Sequence, residues 1–245
     1  KNLNKYLVVS LFIIIFSGII LSGNRMPALI FLLTVFLVIL FNKQTRKFLI
    51  PFVIVFSIIF TIIFKSNEPI RVNFMGFFDQ IKKTATYVAK KDFFNESAPQ
   101  YLKEFSSFYD TWLMNKFIRG GIKNFRFYCH HRPNIDKNKD FICNMHPHNY
   151  YLEILTETGI LGFFIISTIF LIILYYSFYK KYISTSLFKN NIIIIPFIFV
   201  FIAEIFPIKS TGSFFTTGNS TYLFLIIGIL IGMIRKENSI ENKYQ

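Results

Sequence analysis

Between His146 and Gly162 the chain reads His146-Pro147-His148-Asn149-Tyr150-Tyr151-Leu152-Glu153-Ile154-Leu155-Thr156-Glu157-Thr158-Gly159-Ile160-Leu161-Gly162. Two imidazoles, an amide and two carboxylates fall in one short stretch. Histidine as a residue type titrates near neutrality and suits proton removal from a hydroxyl. Pro147 holds the approach extended, because proline disfavours the α region for the residue before it. Asn149 suits the N-cap of a helix starting at Tyr150. Glu153 and Glu157 are one helical turn apart and share a face. Gly159 and Gly162 let the chain bend or pack closely as it enters an apolar run from Ile160. These groups therefore gather at a membrane surface, where they could act on a substrate that is itself half in lipid.

The elements that must position them are apolar helices. Of 245 residues, 53% are hydrophobic and only 16% charged, with 33 phenylalanines. That composition fits an all-α integral membrane protein rather than a soluble domain. Six apolar runs stand out, at about Tyr6–Leu21, Pro27–Phe41, Phe48–Phe64, Ile160–Tyr179, Ile192–Ile208 and Tyr222–Ile234. Several fall slightly short of the ~20 residues that span hydrocarbon, and flanking polar residues would complete them. The net charge of +14 sits in short clusters beside these runs, which reads as topology signal and not as a nucleic-acid surface. Lys1 and Lys5, then Lys43, Arg46 and Lys47, then Lys180, Lys181 and Lys189, then Arg235 and Lys236 mark the inner side by the positive-inside rule. The expected plan is three transmembrane helices in 1–64, one large, partly helical outer loop in 65–149, three more helices in 150–236, and an inner tail in 237–245. Lys1 is not Met, and the sequence reads as part of a longer chain.

In the outer loop, Tyr101, Phe105, Phe108, Trp112 and Leu113 recur at helical spacing across Ser97–Ile118, which Gly120 and Gly121 should stop. This stripe reads as packing, against the bundle or the lipid interface, ahead of a sugar platform. One stretch, Cys129, His130, His131, Cys143, His146 and His148, contains every cysteine and every histidine of the chain. Their spacing matches no strong zinc template, and an oxidising outer compartment favours a Cys129–Cys143 disulfide over a metal site or free thiols. Arg25 stands just before a helix that Pro27 helps to start, so it is either an interfacial arginine or part of an anion site. Arg119, Lys123 and Arg126 crowd the glycine turn before the histidines. Glu204, near the outer end of the fifth run, could pair with Arg25, line a cavity or snorkel to the surface.

His148-Asn149 followed by Glu157-Thr158-Gly159-Ile160-Leu161-Gly162 resembles the signature of the O-antigen ligase and O-antigen polymerase superfamily. Ser22-Gly23-Asn24-Arg25 is similar to that superfamily's first outer turn, with Asn24 in place of a serine. Gly121-Ile122-Lys123-Asn124-Phe125 is similar to its turn before the histidines. The resemblance implies the catalytic half of a multi-pass protein of the bacterial inner membrane with its active site facing the periplasm. It implies transfer of a glycan from an undecaprenyl-diphosphate donor to lipid A core, or to a growing glycan in a polymerase, with no nucleic acid as partner. The implied roles are His148, Asn149 and Glu157 in catalysis, and Arg25, Arg119, Arg126, His146 and Glu153 in substrate binding. The donor is already activated, so the scheme needs no metal or nucleotide cofactor. Two other classes stay open on the residues alone: a transporter for lipid-linked glycans, and a metal or redox sensor built on the Cys/His cluster.

Overall fold

A computed structural model describes residues 5–23, 25–41, 46–93, 95, 97–118, 120–132, 142–143, 146–183, 194–207, 209 and 212–241. Every regular element among them is helical. The order is α1 (Lys5–Leu21), α2 (Arg25–Phe41), α3 (Leu49–Ser66), α4 (Glu68–Lys90), α5 (Gln100–Leu113), α6 (Phe125–His130), α7 (Tyr150–Leu174), α8 (Ile194–Glu204) and α9 (Thr217–Glu241). Three stretches are long and apolar enough to cross a membrane: Arg46–Ser66, Tyr150–Tyr179 and Thr217–Arg235. Ser10–Leu21, Arg25–Phe41 and Ile194–Glu204 are apolar but shorter. The chain forms two compact units, Lys1–Lys82 and Lys83–Gln245, and the division falls within α4.

In the first unit, α1, α2 and α3 interlock through phenylalanines. Phe16 is buried, stacks on Phe31 at 6.2 Å and tilts against Phe56 at 5.0 Å. In lipid there is little hydrophobic drive between helices, so such aromatic packing is what holds them together. Phe60 meets Phe74 edge-on at 5.4 Å, which docks the start of α4 on α3. Asn67 ends α3 and caps α4, its side chain accepting the Ile70 amide at 3.2 Å. The sequence reading left α4 inside a long polar loop. Its docking residues Ile70, Phe74 and Phe77 do follow helical spacing, but exposed Val72, Met75 and Phe78 lie among and just after them and blur the period.

In the second unit, α5 packs against α6 and α7. It is shorter than the expected Ser97–Ile118, and it ends at Leu113 before either glycine. The buried face also differs. Glu104, Ser107, Phe108 and Thr111 are buried, whereas Tyr101, Phe105 and Trp112 are only half-buried and Leu113 is exposed. Polar residues tolerate this burial because they bond within the helix: Ser107 Oγ donates to Lys103 O at 2.9 Å, and Thr111 Oγ1 to Ser107 O at 2.6 Å.

α7 is broken at Gly159, whose φ of 77° and ψ of −176° lie outside the helical region. The amides freed by the break find carbonyls on the segment after α5. Ile160 N donates to Lys116 O at 2.9 Å and Leu161 N to Phe117 O at 3.4 Å. Trp112 Nε1 donates to the same Lys116 oxygen at 3.1 Å and fixes that segment. A Cβ at position 159 would overlap the Phe117 carbonyl. Gly159→Ala therefore meets both a left-handed penalty of about 1–2 kcal/mol and a backbone clash, and is expected to lose at least about 2 kcal/mol of stability. Denaturant unfolding of the purified protein in detergent measures this; an unchanged midpoint would mean that the break is not required.

Candidate functional site

The site is assembled around the first turns of α7. Glu157 is buried, and its carboxylate accepts the amides of Asn124 at 2.8 Å and Phe125 at 3.3 Å. These are amides at the start of α6, where no intrahelical carbonyl is available and negative charge is favoured. α6 in turn carries exposed Arg126 and buried Cys129. Cys129 is joined to Cys143 by a disulfide with a Cα–Cα distance of 5.8 Å. Phe108 stacks on Phe125 at 3.4 Å, and Phe108, Phe125 and Cys129 form a buried cluster against Cys143 and Leu152. The residues on either side of His146–Asn149 are thus held to one core. Both cysteines are consumed by the disulfide, which removes them from any metal-ligand set.

Pro147 is buried, and the imidazoles of His146 and His148 meet edge-to-face with ring centroids 4.5 Å apart. His148 has φ 51°, a left-handed conformation uncommon for a residue with a Cβ and found most often where function or a turn requires it. Burial and the neighbouring His148 lower the pKa of His146, and the Glu104 carboxylate opposes that shift. Asn149 caps α7 by accepting the Leu152 amide at 3.0 Å, as the sequence suggests, and its amide nitrogen donates to Pro207 O at 2.7 Å.

That second bond is one of several that stitch the α8–α9 connection onto α7. Tyr151 OH donates to Ile205 O at 2.5 Å. Glu153 is buried and accepts Ser213 Oγ at 2.5 Å and the Phe214 amide at 2.6 Å. Glu204 forms an ion pair with Lys209, whose ammonium lies 4.9 Å over the Tyr150 ring. Beside this corner an apolar cleft of about 280 Å³ is lined by Tyr151, Phe170, Leu171, Ile202, Phe206 and Pro207.

In the first unit, Arg25 opens α2. Its guanidinium donates to Gln80 Oε1 at 3.1 Å and lies 5.9 Å over the Phe77 ring. Arg119 lies outside the described residues. The second unit therefore places His146, His148, Asn149, Glu153 and Glu157 along one stretch, with Arg126 on the neighbouring α6. Within it, Glu153, Glu157 and the Asn149 bond to Pro207 are positioning contacts that the sequence did not disclose, whereas the Asn149 cap was expected. Buried Glu104 was not singled out by the sequence either. Its signal is its spacing on α5, one turn before Phe108 on the same face.

A family model described as O-antigen ligase matches residues 10–167, well over half of the chain and including Arg25, His148, Asn149 and Glu157. The chain belongs to the O-antigen ligase family. Its members are membrane glycosyltransferases of the ligase or polymerase type that act on lipid-linked glycans. No curated protein and no solved structure matches the chain. In this O-antigen ligase family chain, the stretch from Glu157 to Gly162 contains both the carboxylate that caps α6 and the glycine that breaks α7.

The two amides on Glu157 are bonds to a charged group, each contributing roughly 1.5–3 kcal/mol. Glu157→Ala should destabilise the protein by about 3 kcal/mol or more, and Glu157→Gln, which keeps one acceptor oxygen, by less. Thermal unfolding in detergent would show it. Full stability with lost activity in Glu157→Ala would instead place Glu157 directly in the chemistry.

Proposed function

We propose that the chain transfers a glycan from undecaprenyl diphosphate to a sugar hydroxyl of lipid A core, in the manner of an O-antigen ligase, on the periplasmic face of the bacterial inner membrane. The family match over the histidine region carries this reading. In the reaction the acceptor oxygen attacks the anomeric carbon as the bond to the diphosphate oxygen breaks. The diphosphate leaves with the electron pair, and His148 takes the hydroxyl proton. His146 stands edge-to-face beside His148, with ring centroids 4.5 Å apart. Charge develops on the departing diphosphate, and preorganised cations there lower the barrier. Arg25, Arg126 and Arg119 are assigned to that task. The Gln80 bond and the Phe77 face fix the Arg25 fork while leaving it further donors for phosphate oxygens. The apolar cleft between α7 and α8 suits part of the isoprenoid chain. Asn149, Glu153 and Glu157 act by holding the segments around the histidines.

Deleting the gene separates the two forms of the reading. Long chains missing from lipid A core, with lipid-linked polymer accumulating, mark a ligase. A single repeat unit on the core marks a polymerase, and unchanged surface polysaccharide contradicts both. Arg25 gives a sharper test. Lysine keeps the charge but not the paired geometry of a guanidinium. Losing one such bond of roughly 1.5–3 kcal/mol in the transition state corresponds to about ten- to more than hundredfold in rate. Arg25→Lys should show that loss in transfer from a purified lipid donor while inserting normally. Near-normal transfer would return Arg25 to an interfacial role, since lysine snorkels as well as arginine.

A further inference from the structure

Phe117 and Ile118 are 69% and 63% exposed, yet their backbone is fixed in place. α5 ends at Leu113. Beyond it, the Lys116 carbonyl accepts the Trp112 indole at 3.1 Å and the Ile160 amide at 2.9 Å, and the Phe117 carbonyl accepts the Leu161 amide at 3.4 Å. These bonds set Phe117 and Ile118 level with Ile160 and Leu161 on α7. At that level the apolar stretch of α7 begins. Ile160–Tyr179 alone supplies the ~20 residues that cross hydrocarbon, and Lys180 and Lys181 follow its far end. Leu161, Phe164 and Ile165 are exposed along this stretch, as residues facing acyl chains are. Phe117 and Ile118 continue that surface at its edge. Non-helical backbone is tolerated at membrane depth only where its polar groups are bonded within the protein. The Lys116 and Phe117 carbonyls meet that condition through the two amides freed at Gly159. Exposed Lys116 stands just before the apolar pair, and exposed Ile122 and Lys123 follow it.

We propose that residues 116–118 and 122–123 form a wedge into the bilayer surface on the side of the histidine segment: Phe117, Ile118 and Ile122 enter the boundary between headgroups and acyl chains, and Lys116 and Lys123 bind the phosphates of anionic phospholipids. Three observations choose a lipid surface as the occupant. The apolar pair is hydrogen-bonded at the start of a membrane-crossing stretch, it is continuous with that stretch's exposed face, and lysines flank it on both sides. An apolar surface with basic residues beside it gains both burial and attraction to anionic lipid. The wedge also sets a depth. The Glu157 carboxylate that holds the start of α6 lies two residues before Gly159, so α6 is held at the headgroup level, where the phosphates of any lipid lie.

The test uses the full chain in phosphatidylcholine vesicles with and without phosphatidylglycerol. Both native cysteines are joined in the disulfide, so Ile118→Cys or Phe117→Cys offers one thiol for a fluorescent label. If neither accumulates, Ile122→Cys labels the same wedge. The label is expected to be quenched by nitroxides on the lipid and shielded from aqueous iodide. Nitroxide-bearing phosphatidylglycerol should quench it better than the phosphatidylcholine analogue. Each lysine near an anionic surface corresponds to roughly fivefold in local enrichment, so Lys116→Gln with Lys123→Gln should remove most of that preference and leave the shielding from iodide. Free access of iodide at these positions overturns the wedge. Shielding from both quenchers, with self-quenching between labelled chains, also overturns it and makes a second copy the occupant. Equal quenching by the two lipids, unmoved by the lysine changes, overturns the anionic-lipid contact.

Discussion

The carboxylate of Glu157, buried on α7 and bonded to the first amides of α6, is the contact on which the rest of the histidine region depends. It satisfies helix-end donors that α6 cannot satisfy itself. α6 carries Cys129, the disulfide carries that constraint to Cys143, and the histidine segment lies between Cys143 and the Asn149 cap. One turn away, Glu153 does the same for Ser213 and Phe214 before α9. Two carboxylates one helical turn apart thus hold two separate segments to one helix. Each is satisfied by two donors, which is the condition under which a buried carboxylate is tolerated.

The break at Gly159 belongs to the same design. A continuous α7 would bond its own amides throughout and offer none to the Lys116 and Phe117 carbonyls after α5. Because Gly159 turns out of the helix, the amides of Ile160 and Leu161 reach Lys116 and Phe117. The apolar part of α7 then begins as a separate helix, with the polar first turns set apart from the spanning portion. A residue with a side chain cannot take that conformation against the Phe117 carbonyl.

Features governed by local rules were legible in the sequence. The N-cap at Asn149, the start of α7 at Tyr150 and the apolar character of the helices follow from residue type and spacing. Features governed by tertiary partners were not. Nothing local distinguishes a glutamate that binds sugar from one that accepts backbone amides some thirty residues away in sequence, as Glu157 does. The buried face of α5 was legible only in part: Phe108 of the aromatic stripe is enclosed, but so are Glu104, Ser107 and Thr111, which residue type alone does not suggest. Gln80 and Phe77 as partners of Arg25 were hidden because α4 was not read as a helix. Glu204 pairs with Lys209, five residues on, a partner that the sequence reading did not name because that lysine lies beyond the apolar run.

The central claim is that His148 removes the acceptor proton in transfer from a lipid-diphosphate donor. The direct measurement is the rate of glycan transfer by purified protein from a purified lipid-linked donor, comparing wild type with His148→Ala. The account predicts a fall of roughly 10²–10⁴-fold, as for loss of a positioned base, with insertion and the Cys129–Cys143 disulfide unchanged. Transfer by His148→Ala within a few-fold of wild type would contradict it.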